Sequence, residues 1–434
     1  SSDFDDQNWD QAVEMRAVGT SNDEAIGRGP IRPFPVLVPR GMPNLTTDLL
    51  SPVRVFWTGS VAEKSDGLLP EKAFDLTVMQ APASVKNCEN GWSLVSSPGR
   101  GVAISFVFDY HTGRPKVEID AKGGEIIDIT ISERLPGEPK EEMPGPLVRV
   151  GPHAPSNAMR FIAKPGLQTI EKFEWSAIRG LQIVVYNALK GLDIRSVESR
   201  LVRYPVESLG QFQCSDSELN KLWEKGANTA QWCVHDSWED CPSREKRQWI
   251  TDACVAFEVS ATAFGPVVFP VHKAFIEEVV LGQRVDGLFQ MYVPGDHGHT
   301  GVVIPDYSLQ FILSLGKYYQ LSGDLETVEN AMHAVERCLN SLDGYLSVNG
   351  LLKDVPEWHF IEWVHLGRNG EAGPINVLYA KALKVAAELA EHTERKRLSS
   401  RWSSQSQRAI DALEARHWNA EQGVYVDEVD PATG

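Results

Sequence analysis

The chain reads as a multidomain β + α protein, an N-terminal β-sandwich followed by an incomplete α/α toroid of helical hairpins. Three observations predict this. Short β-branched and aromatic runs fill residues 40–200, punctuated by Gly, Pro, Asn and Asp at about the spacing of a sandwich. Near Ser215 the apolar repeat changes to that of a helix. From there the helical stretches come in pairs, with long polar or Gly-rich loops between alternate pairs, as in hairpins that close a ring.

Taken in order, residues 1–30 read as the remnant of a preceding accessory β-domain, too short to fold alone. Residues 31–205 form the sandwich domain, and 206–434 the first portion of the toroid. Arg32-Pro-Phe-Pro-Val-Leu-Val-Pro39 is a Pro-rich linker or edge strand. Strands are expected over Val102–Phe108, Lys116–Ile119, Ile126–Ile131 and Leu181–Tyr186, with turns at His111-Thr-Gly113 and Gly123-Gly124. Ser215-Asp-Ser-Glu218 is a capping box, and Leu219, Leu222, Trp223 and Ala227 follow at helical spacing. Further helices are expected over 252–264, 267–282, 306–322, 325–341, 374–394 and 396–417, broken at Gly323-Asp324 and Asp343-Gly344. Gly423-Val-Tyr-Val-Asp427 reads as a hairpin. Seven helices fall short of the roughly twelve that six hairpins supply. The expectation is therefore a fragment, or a chain whose apolar faces seek a second copy or a complementing C-terminal segment.

Composition narrows the partners. The 434 residues suffice for two or three domains, and 42% apolar with 23% charged residues is ordinary for a soluble globular protein. A formal net charge of −17 argues against nucleic acid, anionic membranes and strongly acidic polysaccharides. No run approaches the roughly 18 apolar residues of a membrane helix. The first residues, Ser1-Ser-Asp-Phe-Asp-Asp, are not signal-like. The six cysteines show no C-x-x-C spacing and read as mostly buried free thiols, with no disulfide framework or zinc site, so a cytoplasmic location is favoured.

The chemistry concentrates in Asp240-Cys-Pro-Ser-Arg-Glu-Lys-Arg-Gln-Trp-Ile-Thr-Asp252, flanked by Asp236, Trp238 and Glu239. Pro242 keeps Cys241 extended, and Asp252 is a good N-cap for the apolar run behind it, so 240–250 reads as a loop at the mouth of a buried helix. Were the segment helical, Glu245, Trp249 and Asp252 would share one face. The bland alternative is a solvated charge cluster. Acids beside aromatic plates are, however, how proteins hold sugars: carboxylates accept hydroxyl hydrogen bonds and the ring covers the apolar sugar face.

This stretch resembles a signature of the bacterial-type α-L-rhamnosidases, glycoside hydrolase family 78, through Asp240, Cys241, Pro242, Arg244, Glu245, Arg247, Trp249 and Asp252. The flanks agree: Phe212-Gln-Cys-Ser-Asp216, Leu219-Asn-Lys-Leu-Trp223, Pro305-Asp-Tyr-Ser-Leu-Gln310, Trp358-His-Phe-Ile-Glu-Trp363, and upstream Ala121-Lys-Gly-Gly-Glu-Ile-Ile-Asp128 and Glu174-Trp175. One departure is that Gln248 and Thr251 stand where the family often has Gly. The resemblance implies a toroid of the six-hairpin glycosidase type and inverting hydrolysis of terminal α-L-rhamnosides, with no cofactor. It implies Glu245 as general acid, and Asp240, Arg244, Trp249 and Asp252 as rhamnose-binding residues.

Hydrolysis of this kind needs a second carboxyl group as base. The family places it in a later Trp-Glu motif. No clear match follows residue 363, so the base is expected beyond Gly434 and the chain alone is expected to be inactive or very weak. Glu362 and Trp363 are expected to bind sugar at the rim, with Glu357 and His359 as weaker candidates. Asp296-His-Gly-His299 reads as a lid loop and not as a metal site, because a third ligand cannot be named. Competing readings are a non-catalytic carbohydrate-binding or scaffold protein, and another α/α-toroid glycosidase.

Overall fold

The computed structural model describes residues 41–63, 76–79, 84–89, 91–137, 157–207, 209–294, 302–361, 363 and 366–429. The readings of 1–30, 32–39 and 296–299 lie outside them. The described chain packs as two units, one of Met42–Arg247 with Val255–Val271, the other of Gln248–Cys254 with the residues from His272 onward.

In the first unit the strands are β1 (Leu49–Leu50), β2 (Arg54–Glu63), β3 (Leu76–Met79), β4 (Ser84–Cys88), β5 (Gly91–Val95) and β6 (Gly101–Ala121). They continue as β7 (Ile126–Ser132), β8 (Ala158–Ile162), β9 (Gly166–Glu171), β10 (Ser176–Tyr186) and β11 (Leu192–Leu201). All pair antiparallel. Strand β6 organises them. Its residues 101–107 lie between β10 and β2, and residues 116–121 between β11 and β9. One strand thus passes from one layer of the sandwich into the other. Between the layers sit Ile104, Phe106, Ile129, Leu181 and Ile183 from one side, and Val117, Ile119, Ile170, Ile194 and Val197 from the other.

The expected strands over Val102–Phe108 and Lys116–Ile119 are therefore one element, and His111-Thr-Gly113 is not a turn. It is the point where β6 changes partners. His111 Nε2 lies 2.7 Å from Ser199 Oγ, and Thr112 Oγ1 donates to the Val202 carbonyl at 2.6 Å. A side chain on Gly113 would start 2.5 Å from Ser199 Oγ, so the glycine serves close approach and not reversal. Gly123-Gly124 does turn the chain, both at positive φ, and Glu125 closes the turn by accepting the N–H groups of Lys122 and Gly123 at 2.9 and 2.7 Å. At the first position of β5, Gly91 has φ 121°, and an added Cβ would fall 1.9 Å from the Ile194 carbonyl oxygen. Gly91→Ala is expected to destabilise this unit by more than about 1 kcal/mol, measured as a shift in the denaturant midpoint at unchanged slope; an unshifted midpoint would show that the β4–β5 edge yields freely.

Among the described residues seven α-helices follow: α1 (Ser217–Trp232), α2 (Ile250–Phe264), α3 (Phe269–Leu281), α4 (Pro305–Ser322), α5 (Leu325–Asp343), α6 (Gly373–His392) and α7 (Lys396–His417). The cap of α1 is Asp216, one residue later than the capping box implied: its carboxylate accepts Glu218 N at 2.8 Å. Asp252 is not a cap either. Helix α2 has already begun at Ile250, which places Asp252 in its first turn.

The stretch Ile250–Leu281 is 32 residues long and apolar enough to cross a membrane by length and composition, contrary to the sequence reading. A 3₁₀ turn at Gly265–Val268 divides it into helices of 15 and 13 residues, each shorter than the roughly 20 residues a spanning helix needs.

Helices α4 and α5 join through Gly323 in the left-handed conformation and Asp324, whose carboxylate accepts Thr327 N at 3.1 Å. Helices α6 and α7 form the next hairpin. Asp343 at the end of α5 ties them together, accepting from Tyr379 (3.3 Å), Gln405 (2.9 Å) and Arg401. The chain then forms the expected hairpin, β12 (Trp418–Asn419) with β13 (Val424–Tyr425). All six cysteines are free, but only Cys254 and Cys338 are buried, fewer than expected.

Candidate active site

After α1 the chain makes two small closed loops. In the first, Val234 bridges Trp238, and Glu239 N donates to the Cys233 carbonyl at 2.9 Å. His235 is fully buried within it, donating from Nε2 to the Val202 carbonyl at 3.0 Å while Nδ1 lies 3.1 Å from Glu239 Oε2. The indole of Trp175 stacks on that imidazole, with 4.9 Å between ring centroids. The second loop spans 240–247. Asp240 N donates to the Arg247 carbonyl at 3.1 Å, and Arg247 N returns a bond to Asp240 Oδ1 at 3.0 Å. The expectation of a loop, not a helix, over this segment holds.

This second loop brings Asp240, Arg244 and Glu245 together. The Arg244 guanidinium lies 2.7 Å from Glu245 Oε1 and 3.8 Å from Asp240 Oδ2. The Asp240 side chain is 8% exposed and that of Glu245 28%. Burial raises the pKa of Asp240, although hydrogen bonds from Cys241 and the Arg247 amide oppose it. Glu245 carries its carboxyl on a turn fixed from below, where its own N–H points at Cys241 Sγ, 3.4 Å away. A half-exposed acid beside a cation and a buried acid can donate a proton and accept hydroxyl hydrogen bonds.

In the second unit, Gln248 Nε2 donates to Glu278 Oε2 (2.7 Å) and to the Val293 carbonyl (2.9 Å). Trp249 bridges Tyr292, and their rings meet edge to face at 4.9 Å. Neither Gln248 nor Thr251 has a positive φ, so the backbone at these positions does not call for the glycine that the family often carries. Thr251 lines a cavity of about 330 Å³ with Asp306, Tyr307, Gln310, Phe360 and Ile361. Burial, with the carboxylates of Asp252 and Asp306 nearby, pushes the Tyr307 hydroxyl well above its ordinary range. Asp252 is therefore grouped with Asp306 and Tyr307.

Asp306 is the residue that sequence reasoning missed. It is 2% exposed and follows Pro305 at the start of α4. Its two oxygens accept the N–H groups of Phe360 (3.1 Å) and Ile361 (3.0 Å), fixing a turn in which Ile361 has φ 46°. A β-branched residue there is strained and persists only where neighbours hold it. The signal was available: an acid at the head of a helix that carries Tyr307, Leu309, Phe311, Ile312 and Leu315. The turn carries an aromatic cluster, with Phe360 edge to face with Tyr307 (5.9 Å), Trp358 (5.7 Å) and Trp363 (5.0 Å). Trp363 is 81% exposed and presents a flat apolar plate. Burial holds His359 below the ordinary histidine pKa, against the pull of Asp306, so it is a packed imidazole and not a ready acid. Glu357 is exposed and pairs with Arg284 at 3.4 Å. Glu362 lies outside the described residues. Among those described, no group of three or more His, Cys, Asp or Glu side chains is placed to hold a metal ion.

Comparison with known proteins gives a consistent result. The bacterial alpha-L-rhamnosidase 6 hairpin glycosidase domain matches residues 207–433. A curated alpha-L-rhamnosidase of Formosa agariphila is 27% identical over 177 residues, 38% of this chain and 17% of that one. Among solved structures, a GH78 family rhamnosidase of Bacillus sp. GL1 superposes with TM-score 0.67 at 22% identity, over 81% of this chain and 35% of that one. A Klebsiella oxytoca rhamnosidase with rhamnose bound superposes with TM-score 0.67 at 19% identity, over 90% of this chain and 75% of that one. At these identities the structural likeness concerns the fold. The chain spans about a sixth of the curated relative and about a third of the Bacillus protein.

Proposed function

Because the chain belongs to the bacterial α-L-rhamnosidases through its six-hairpin glycosidase domain, we propose that it acts in the hydrolysis of terminal α-L-rhamnosides, with inversion at the anomeric carbon. The observation that carries the reading is the Asp240–Arg244–Glu245 group, a guanidinium set between a buried acid and a partly exposed one on a loop closed by hydrogen bonds. Glu245 gives its proton to the leaving glycosidic oxygen as the bond to the sugar breaks. A second carboxylate on the opposite face takes a proton from the attacking water; no described acid is assigned that role. Asp240 and Arg244 bind sugar hydroxyls. Trp249, Asp252, Glu362 and Trp363 are assigned to the binding of a neutral sugar, the tryptophans covering an apolar sugar face.

The test is turnover of p-nitrophenyl α-L-rhamnopyranoside, with NMR of the first-formed sugar and calorimetry with L-rhamnose. The expected result is at most weak hydrolysis, with β-L-rhamnose as the sugar first released. Release of the α-anomer would overturn inversion. Binding of rhamnose without turnover would make this a sugar-binding protein, and turnover of other aryl glycosides alone would move it to another specificity.

A further inference from the structure

Lys246, next to Glu245, has no part in the chemistry above, yet its surroundings are built around it. Its backbone sits at φ 54°, a left-handed conformation that residues with a side chain hold only when neighbours impose it. Its side chain is 13% exposed. The ammonium donates to Glu174 Oε1 at 2.7 Å and to the Trp175 carbonyl, and stands 5.5 Å from the centre of the Trp175 ring. Glu174 in turn lies 3.8 Å from the Lys172 ammonium. On the other side of Glu245, Ser243 Oγ accepts the buried Ala177 N–H at 3.0 Å. Both flanks of Glu245 are thus fastened to one four-residue stretch, Glu174 to Ala177, where the chain enters β10.

We propose that Lys246 is a positioning residue, a tether that holds the left-handed turn and so aims the Glu245 carboxyl at the glycosidic oxygen. The inference rests on the reading of Glu245 as proton donor. Without the tether, residue 246 relaxes to negative φ, the peptide joining it to Glu245 rotates, and the carboxyl leaves its place beside Arg244. Substrate binding through other residues is not touched. The tether therefore acts on proton donation and not on affinity.

Leaving-group dependence separates this from a structural role. A rhamnoside of a simple alcohol needs its leaving oxygen protonated, whereas 2,4-dinitrophenolate departs without a proton. Lys246→Met keeps the apolar stem and removes the donors. It is expected to lower kcat on the alkyl rhamnoside on the order of 10²-fold, with KM changed by less than about twofold and the dinitrophenyl substrate nearly spared. Lys246→Arg is expected to restore most of the rate. Equal loss on both substrates, or no loss, overturns the proposal. Should Lys246→Met not fold, Glu174→Gln, at the more exposed end of the tether, is expected to give the same pattern more weakly. A wild-type protein inert toward both substrates and without affinity for L-rhamnose would refute the rhamnosidase reading, and inertness of either kind leaves the tether to amide exchange. There, roughly tenfold faster exchange of residues 240–247 in the variant, with the sandwich strands unchanged, supports the tether, and unchanged protection overturns it.

Discussion

Glu245→Gln is expected to lower kcat on an aryl α-L-rhamnoside by about 10²–10⁴-fold, the usual contribution of a positioned general acid. Gln keeps the length and hydrogen-bonding shape of Glu but has no proton to give. The loop should not notice the change, because its closure uses the backbone of Asp240 and Arg247 and the side chains of Asp240, Ser243 and Lys246. The contact with Arg244 at 2.7 Å weakens, and that guanidinium retains Asp240. L-Rhamnose affinity by calorimetry is therefore expected to stay within about twofold, since one exposed ion pair contributes little. Steady-state rates and calorimetry on the same preparation decide it. Undiminished turnover would end the assignment of Glu245 as proton donor; loss of both turnover and binding would make it a structural residue.

The second large effect is expected at Asp306. Asp306→Ala leaves two N–H groups, those of Phe360 and Ile361, without an acceptor, and each such loss costs about 1–3 kcal/mol where water cannot replace it. A net loss of about 2–4 kcal/mol follows, a fall in Tm on the order of 5–10 °C for a unit of this size. The strained Ile361 turn then relaxes, and the Trp358–Phe360–Trp363 cluster disperses with it, so rhamnose affinity should fall as well. Asp306→Asn keeps one acceptor and is expected to lose about half as much. Differential scanning calorimetry measures it, and equal Tm values for Ala and Asn would show that the carboxylate does not hold the turn.

The helices were legible because each carries its own period. The starts and ends of α3 to α7 fall within two residues of the expectation, and the capping shift from Ser215 to Asp216 reflects two adjacent residues that can both cap. The loop at 240–247 was legible because its acids, bases and aromatic residues lie together in sequence. Contacts made across the chain were not. Lys246 meets Glu174 across 72 positions, and Asp306 meets Ile361 across 55. No local pattern encodes such a partner. The same holds for His111-Thr-Gly113, where turn-forming residue types serve a strand that must come close to Ser199 and Val202.

That strand has a mechanical consequence. Since β6 donates one end to each layer, neither layer can peel away while the other stays intact. The sandwich should melt as one cooperative block, its most protected amides clustering on β6 and its two neighbours β10 and β11. Its assembly should be slow compared with that of the helical hairpins, because β6 must find partners about 60–90 positions away before either face can close.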